Sequence, residues 1–201
     1  MRNILTFVIL LITSLSFSQN KFGVFTGANY SYFTDGFAGQ ILGEDSIGFQ
    51  IGALYEISLN DKISFRPKVI FSQQGDRTKT EYKYGSIDLS NIDYKLNYLN
   101  FPMDFKFWNK IYMIAGPQIG FLITEKYEEV FIGKVKSNIE LGLNLGTGFK
   151  INKVFFEFGI YQGVSTVLNY KYQSTAKIVD VRNGLAKFTV GYNFIPITFV
   201  K

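Results

Sequence analysis

The side chains that most often carry enzyme chemistry are absent from this sequence. Among its 201 residues there is no histidine and no cysteine. A Ser-His-Asp or Cys-His arrangement, a histidine general base and a histidine metal site are therefore excluded. Without cysteine there is also no disulfide, thiol nucleophile or lipid-modified cysteine. A pair of carboxylates could still act as acid and base.

Several carboxylates and basic residues lie on the polar faces of predicted strands, which would point into the narrow interior of a β-barrel. The carboxylates are Glu56, Asp104, Glu140 and Glu157, and the basic residues are Arg66, Lys68, Lys106, Lys150 and Lys187. Charges confined in such an interior must pair, because an isolated buried charge is very costly. We therefore interpret this set as a structural lumen charge network and assign no catalytic residue.

Closely spaced glycines invite a phosphate-loop interpretation at Gly142, Gly146 and Gly148. They lie within a strand pattern, no helix follows, and no Gly-Lys-Ser/Thr element is present. Glycine at inward positions more simply relieves crowding in a small barrel. The acidic pair Glu44 and Asp45 falls far short of a calcium loop. The sequence thus predicts no cofactor and no metal.

Two-residue alternation of apolar and polar side chains recurs after Gln19. One face of 47–58 carries Ile47, Phe49, Ile51, Ala53, Tyr55 and Ile57, and the other carries Gly48, Gln50, Gly52, Leu54, Glu56 and Ser58. Similar alternation occurs in 63–72 and 139–150. These segments are longer than the roughly 5–6 residues of globular strands and suit the roughly 9–11 of membrane-crossing strands. The apolar face would then meet lipid and the polar, glycine-rich face the lumen.

The pattern predicts an all-β fold, an eight-stranded antiparallel up-and-down transmembrane β-barrel. Its strands are placed at 22–33, 47–58, 62–74, 94–107, 110–123, 138–151, 154–167 and 184–195. Short connections at 60–61, 109–110 and 152–153 alternate with long ones at 34–46, 75–93, 124–137 and 168–183. Each short connection contains asparagine, which tolerates the left-handed backbone of tight hairpins. Such alternation is typical of short periplasmic turns and longer external loops.

The first 18 residues have the composition of a secretory signal. Arg2 is the basic start, Ile4 to Leu15 form the apolar run, and Ser16 and Ser18 are small residues before a cleavage site at Gln19. This order favours a cleaved signal peptide at 1–18 followed by an outer-membrane β-barrel domain at 19–201. A retained anchor is the alternative, although the run is shorter than the roughly 20 residues that span a bilayer. The formal net charge of +5 is dispersed, so nucleic-acid binding is not predicted.

Aromatic residues cluster near the predicted strand ends, where they would form girdles at the membrane surfaces. They are Tyr30, Tyr32, Phe33, Tyr94, Tyr98, Phe105, Phe107, Trp108, Phe155, Phe156, Tyr170, Tyr172, Tyr192 and Phe194. The ordinary strand propensity of aromatic residues is the alternative explanation.

Taken in order, several segments resemble the PorT-like outer-membrane β-barrel family of Bacteroidota. They are FGVFTGANYSYF at 22–33, ISFRPKVIFSQQG at 63–75, YLNFPMDFKF at 98–107, AGPQIGFL at 115–122 and GLNLGTGFKI at 142–151. The resemblance implies a bacterial outer-membrane barrel whose last strand ends at an aromatic residue. Here that residue is Phe194 or, because the chain continues beyond it, Phe199. The member that gives the family its name is linked to secretion and gliding machinery.

A non-enzymatic barrel with a structural or interaction role is the favoured function. About eight strands enclose an interior just wide enough for side chains, which disfavours a diffusion pore. The expected partners are outer-membrane lipid and envelope proteins that contact external loops such as 75–93. One alternative is a barrel that binds or transfers a small hydrophobic ligand, which a charge-paired plug would disfavour. The other is a soluble periplasmic β-domain, which apolar side chains on the outside of a closed sheet would exclude.

Overall fold

The computed structural model describes residues 20–34, 36, 40–77, 83–84, 87–88, 92–129, 135–171 and 178–194. Its strands are β1 (Lys21–Thr34), β2 (Gln40–Ser58), β3 (Ile63–Arg77), β4 (Lys83–Tyr84), β5 (Ile87–Asp88), β6 (Ile92–Phe107), β7 (Ile111–Glu129), β8 (Ile139–Ile151), β9 (Val154–Gly163), β10 (Leu168–Lys171) and β11 (Ile178–Asn193). Within the described residues, no helix is long and apolar enough to cross a membrane.

The long strands form one antiparallel sheet that closes on itself. Their order is β1-β2-β3-β6-β7-β8-β9-β11, and β11 pairs with β1 from Gly23 opposite Asn193 to Thr34 opposite Arg182. Closure leaves the sheet without an unpaired edge. The predicted eight-stranded antiparallel barrel is thereby confirmed. The short strand β10 pairs with the first residues of β11. The short strands β4 and β5 pair with each other in a separate hairpin.

Side-chain alternation places apolar residues outside and most polar residues inside. On β2, Ile47, Phe49 and Ile51 are 80%, 47% and 55% exposed, whereas Gln50 and Glu56 are 2% and 1% exposed. A soluble sheet would reverse this arrangement, because its apolar face would form the core. The exterior therefore has the polarity of a membrane-facing surface.

Three short connections lie at one end of the barrel, which we call the turn end, and the opposite end is the loop end. They are 59–62, 108–110 and 152–153. Asn152 adopts the left-handed backbone expected of it, with φ 54°. At the second connection that conformation falls on Trp108, with φ 70°, instead of on the asparagine. In the first, Asn60 acts through its side chain, whose Oδ1 accepts hydrogen bonds from Lys62 N and Ile63 N at 2.9 and 2.8 Å.

Most strands extend farther toward the loop end than the sequence predicts. β2 begins at Gln40 instead of 47, β3 continues to Arg77, β6 begins at Ile92, β7 continues to Glu129 and β11 begins at Ile178. β9 is shorter, because it ends at Gly163 instead of 167, and β8 begins one residue later than predicted, at Ile139. Apolar alternation fades where a strand leaves the membrane, but backbone hydrogen bonding between neighbours does not depend on it. The predicted loops at 34–46, 75–93, 124–137 and 168–183 are correspondingly too long.

The loop end of the interior is filled with large apolar side chains. This loop-end cluster consists of Phe33, Tyr94, Leu96, Tyr98, Val167, Leu168 and Val181, all at most 2% exposed, with Leu122 and Val135 packed against it. Val167 N donates to Val181 O at 2.7 Å, and Lys136 N donates to Val167 O at the same distance. These backbone hydrogen bonds hold the segments after β7 and β9 against the cluster.

The predicted aromatic girdle is wrong in part. Phe33, Tyr94, Tyr98 and Phe155 point into the interior and are at most 1% exposed, because strand parity, not nearness to a strand end, decides their side. Tyr30, Phe105, Trp108, Tyr192 and Phe194 are among the exposed residues, as a girdle requires. Tyr172 and the side chain of Tyr170 lie outside the described part of the chain.

Candidate functional site in the barrel lumen

Strands β3 and β6 direct four charged side chains into the lumen. Arg66 lies opposite Asp104 in their register, and Lys68 and Lys106 are two residues farther along each strand. Residues two apart on a strand share a face, so all four point inward and are at most 8% exposed. Strand β2, which pairs with β3, adds the carboxylate Glu56, and strand β9, on the opposite side of the barrel, adds Glu157. We call these six residues the lumen charge cluster.

Arg66 lies between two carboxylates from distant parts of the chain. Its Nη1 donates to Glu157 Oε1 at 2.6 Å, and its Nε lies 3.3 Å from Glu56 Oε2. The guanidinium also lies over the rings of Tyr112 and Phe155, at 5.6 and 5.4 Å from their centroids. Ionic and cation–π contacts together surround this cation on several sides.

Two lysines complete the pairing. Lys106 Nζ donates to both oxygens of Glu56 at 3.1 Å, while Lys68 Nζ lies 3.0 Å from Asp104 Oδ2 and 3.2 Å from Glu157 Oε2. The cluster therefore holds as many cations as carboxylates. Charge-assisted hydrogen bonds of this kind are the strong ones, and they offset the cost of removing the charges from water.

Little space remains around the cluster. A void of about 30 Å³ lies beside Lys68, Asp104, Glu157 and Lys187, which is about the share of liquid volume that one water molecule occupies. Asp104 Oδ1 has no partner among the described residues and faces this region. Packing of this kind suits a plug far better than a reaction site.

Three residues predicted for the charge network make other polar contacts, although Lys187 borders the same small void as Lys68, Asp104 and Glu157. Glu140 accepts hydrogen bonds from Tyr161 Oη and Asn183 Nδ2, each at 2.8 Å. Lys187 Nζ donates to Asn144 Oδ1. Lys150 is half-buried at the turn end and lines an open cavity there. These side chains point inward as predicted, but among the described residues no salt bridge joins them to the cluster.

Sequence reasoning missed the aromatic members of the lumen. Tyr112 Oη donates to Glu157 Oε1 at 2.9 Å, and Lys106 Nζ lies 4.7 Å from the centroid of the same ring. A usable signal was present in the pairing, because Tyr112 lies directly opposite Gly148. A Cβ on Gly148 would approach Tyr112 Cζ to 2.7 Å. At this position the inward glycine leaves room for a ring.

The same device recurs elsewhere in the interior. A Cβ on Gly142 would overlap the ring of Tyr161, and one on Gly191 would overlap the ring of Phe155. Of the glycines that suggested a phosphate loop, Gly142 and Gly148 thus pack against aromatic rings within a strand, and Gly146 packs against the backbone of Phe158 and Gly159 and the side chain of Ile114. Among the described residues, no group of His, Cys, Asp and Glu is arranged to hold a metal ion.

A closed barrel with an apolar exterior and a charge-filled lumen identifies the architecture, and a sequence comparison identifies the family. The family model described as outer membrane protein beta-barrel domain matches residues 17–169, well over half of the chain. The chain belongs to this family.

Solved outer-membrane barrels share the fold of this family member. Neisserial surface protein A matches with a TM-score of 0.53 at 15% identity, covering 86% of this chain and 97% of that one. A major outer membrane protein from Thermus thermophilus matches with a TM-score of 0.50 at 15% identity, covering 87% and 99%. Identities this low show the fold alone. Comparison with curated protein sequences gives no match.

Membership in the outer membrane protein beta-barrel domain family places the barrel in a bacterial outer membrane. Short turns of such barrels face the periplasm, so the turn end is periplasmic and the loop end external. The soluble periplasmic alternative is excluded, because the outside of the closed sheet is apolar. Phe194, which follows β11, donates its N–H to Phe22 O at 2.7 Å. Phe199 and the predicted signal peptide at 1–18 lie outside the described residues.

Proposed function

We propose that this outer-membrane barrel has a non-enzymatic, structural or interaction role in the cell envelope. The observation that carries the proposal is the filled lumen. The lumen charge cluster occupies the periplasmic half, and the loop-end cluster occupies the external half. A general pore needs a continuous aqueous channel, and an enzyme needs an accessible reactive group. Neither fits a lumen packed in this way.

Interaction would then take place at the two ends of the barrel. The connections at the loop end, which lie within the longer ranges predicted as loops (34–46, 75–93, 124–137 and 168–183), are the surfaces offered to envelope partners, with outer-membrane lipid around the wall. Loops on a rigid scaffold commonly carry binding functions. The resemblance to the PorT-like family supports a place among barrels of Bacteroidota, with an accessory role in secretion machinery as the narrower version of the proposal.

Conductance across a planar lipid bilayer tests the proposal. The refolded full-length barrel is expected to give no stable single-channel steps, because paired side chains block the lumen. A general porin measured under the same conditions serves as the positive control. The folded species is the one whose gel mobility changes when the sample is boiled. Reproducible conductance steps from this species would overturn the interpretation that the lumen is plugged.

Export through a cleaved signal peptide at 1–18 is part of the same proposal. N-terminal sequencing of protein recovered from the outer membrane is expected to begin at Gln19. Recovery of a chain that still begins at Met1 would replace the cleaved signal with a retained anchor.

The hydrophobic-ligand alternative receives less support. A binding barrel would need an open apolar pocket at one mouth, whereas Phe33, Tyr94 and Leu168 already fill the external end with 0% exposure. The apolar space that such a ligand would occupy is taken by the chain itself.

A further inference from the structure

The periplasmic end of the lumen opens into a concave cavity of about 710 Å³. Its lining includes Lys21, Lys106, Lys110 and Lys150 and a single carboxylate, Asp61. A volume in this range is typical of ligand sites, which span about 300–1,000 Å³. We call this cavity the basic vestibule.

Two of these lysines already have a partner deeper in the lumen. Glu56 faces Lys106 at 3.1 Å, Lys21 at 3.5 Å and Arg66 at 3.3 Å. One carboxylate thus serves three cations at the base of the vestibule, and Arg66 shares a second acid, Glu157. The floor of the vestibule therefore has no spare negative charge.

The other two lysines have no carboxylate within 4.0 Å in the described part of the chain. Lys150 occupies an inward position on β8 and is half-buried, and Lys110 lies exposed on the turn before β7. Concave walls concentrate the field of like charges and attract counter-ions. The vestibule is thus a positively charged recess, and its one lining carboxylate, Asp61, makes no salt bridge to these lysines in the described part of the chain.

We propose that the basic vestibule binds an acidic peptide segment of a periplasmic partner protein. Lys21, Lys106 and Lys150 lie within the ring of strands, where the recess opens along the barrel axis toward the periplasm. A lipid headgroup stays at the membrane surface outside that ring and would have to pass the turns to enter. A flexible acidic segment can enter from the aqueous side, and lysine ammonium groups adapt to carboxylates in varied positions.

This inference deepens the proposed interaction role and rests on it. The partner contact is assigned to the periplasmic face, in addition to the external loops. Conductance tests the plug and peptide binding tests the vestibule, so either can fail while the other stands.

Fluorescence anisotropy with a fluorescein-labelled hexaglutamate peptide tests the assignment, with the full-length barrel in nanodiscs of zwitterionic lipid. The variant combines Lys110→Gln with Lys150→Gln, which spares the lysines that neutralise Glu56. The matched control combines Lys126→Gln with Lys136→Gln, which removes the same charge from exposed positions at the loop end. We expect the vestibule variant to bind roughly tenfold more weakly, since each exposed ionic contact contributes modestly. The control should bind as the wild type does, and added salt should weaken all binding.

Several outcomes would overturn the proposal. They are an absence of binding by the wild type, an unchanged affinity in the vestibule variant, and an equal loss in the control, which would indicate net charge alone. If the wild type binds the peptide in phosphatidylcholine nanodiscs but not in phosphatidylglycerol nanodiscs, the vestibule is assigned to lipid headgroups instead. Should the double variant not fold, Lys110→Gln alone carries the test, with an expected weakening of roughly threefold.

Discussion

The two ends of the lumen are built around different kinds of side-chain cluster. The periplasmic half holds the lumen charge cluster, in which Arg66, Lys68 and Lys106 face Glu56, Asp104 and Glu157. The external half holds the loop-end cluster, where apolar side chains pack without ionic contacts. Charges need particular partners at particular distances, whereas apolar groups need only complementary volume. The periplasmic half therefore specifies the register of the strands, and the external half closes that end of the lumen.

The two halves also differ in which strands they join. Arg66 on β3 and Glu157 on β9 lie on opposite sides of the barrel and 91 residues apart, so their contact forms only when the sheet curls round the lumen. Lys106 and Glu56 are 50 residues apart and join the two strands that flank β3. The loop-end cluster instead holds β1, β6, β10 and β11 together with the segments that cover them. Damage to the charged half should therefore affect closure, and damage to the apolar half should affect the external end.

The largest effect is expected from Arg66→Met. It leaves Glu56 and Glu157 buried without their shared cation, and breaking a buried pair in this way costs about 3–5 kcal/mol. Urea unfolding in lipid vesicles, followed through the fluorescence of Trp108, measures the loss; the chain has only this one tryptophan. Arg182→Met is the control, because Arg182 is half-buried on β11 outside the cluster. Equal losses for the two arginines would remove the distinction between the charged half and the rest of the barrel.

A smaller and more local effect is expected from Phe33→Ala. The ring of Phe33 meets that of Tyr94 edge-on, with centroids 5.9 Å apart, and truncating a buried phenylalanine costs about 3 kcal/mol. Hydrogen exchange should accelerate at loop-end amides of β1 and β6 while turn-end amides keep their protection. Uniform acceleration along both strands would show that the two halves unfold as one unit.

A third contrast compares two inward glycines. Gly142→Ala forces the Tyr161 ring to move and disturbs its hydrogen bond to Glu140, for an expected loss of about 2 kcal/mol from overpacking. Gly159→Ala is the matched control, because the nearest atom to its new Cβ would lie 3.4 Å away. The same vesicle unfolding assay compares the two variants. A Gly159 variant as unstable as the Gly142 variant would show that backbone freedom, not ring packing, governs these positions.

The periplasmic half was the more predictable of the two from sequence. Strand alternation assigns Glu56, Arg66 and Glu157 to the inner face, and confinement requires them to pair. Their particular partners depend on which strands meet across the lumen, and alternation within one strand does not contain that information. For the same reason alternation could not show that Glu140 accepts from Tyr161 and that Lys187 donates to Asn144, instead of pairing within the cluster.

The external half was harder to predict. Tyr94 and Phe33 lie near predicted strand ends, where an aromatic residue serves equally well in a girdle or in a buried cluster. Parity counted along β1 and β6 places both rings inside, whereas nearness to a strand end suggests a girdle. The segments that pack on top come from between strands, where no periodic pattern reports a tertiary contact.

The smallest effect is expected where the charged half meets water. Lys21 reaches Glu56 at 3.5 Å, and its side chain is 27% exposed, whereas Lys106 reaches the same carboxylate at 3.1 Å with 4% exposure. Lys21→Gln should cost less than about 1 kcal/mol and lose its effect in salt, because solvent screens an exposed pair. Lys106→Gln should cost about 3 kcal/mol and be insensitive to salt, because Glu56 is left buried with fewer cations. Vesicle unfolding of both variants at two salt concentrations separates the two cases. Equal losses of stability that both depend on salt would mean that water reaches the whole lumen charge cluster. A plugged lumen does not allow this.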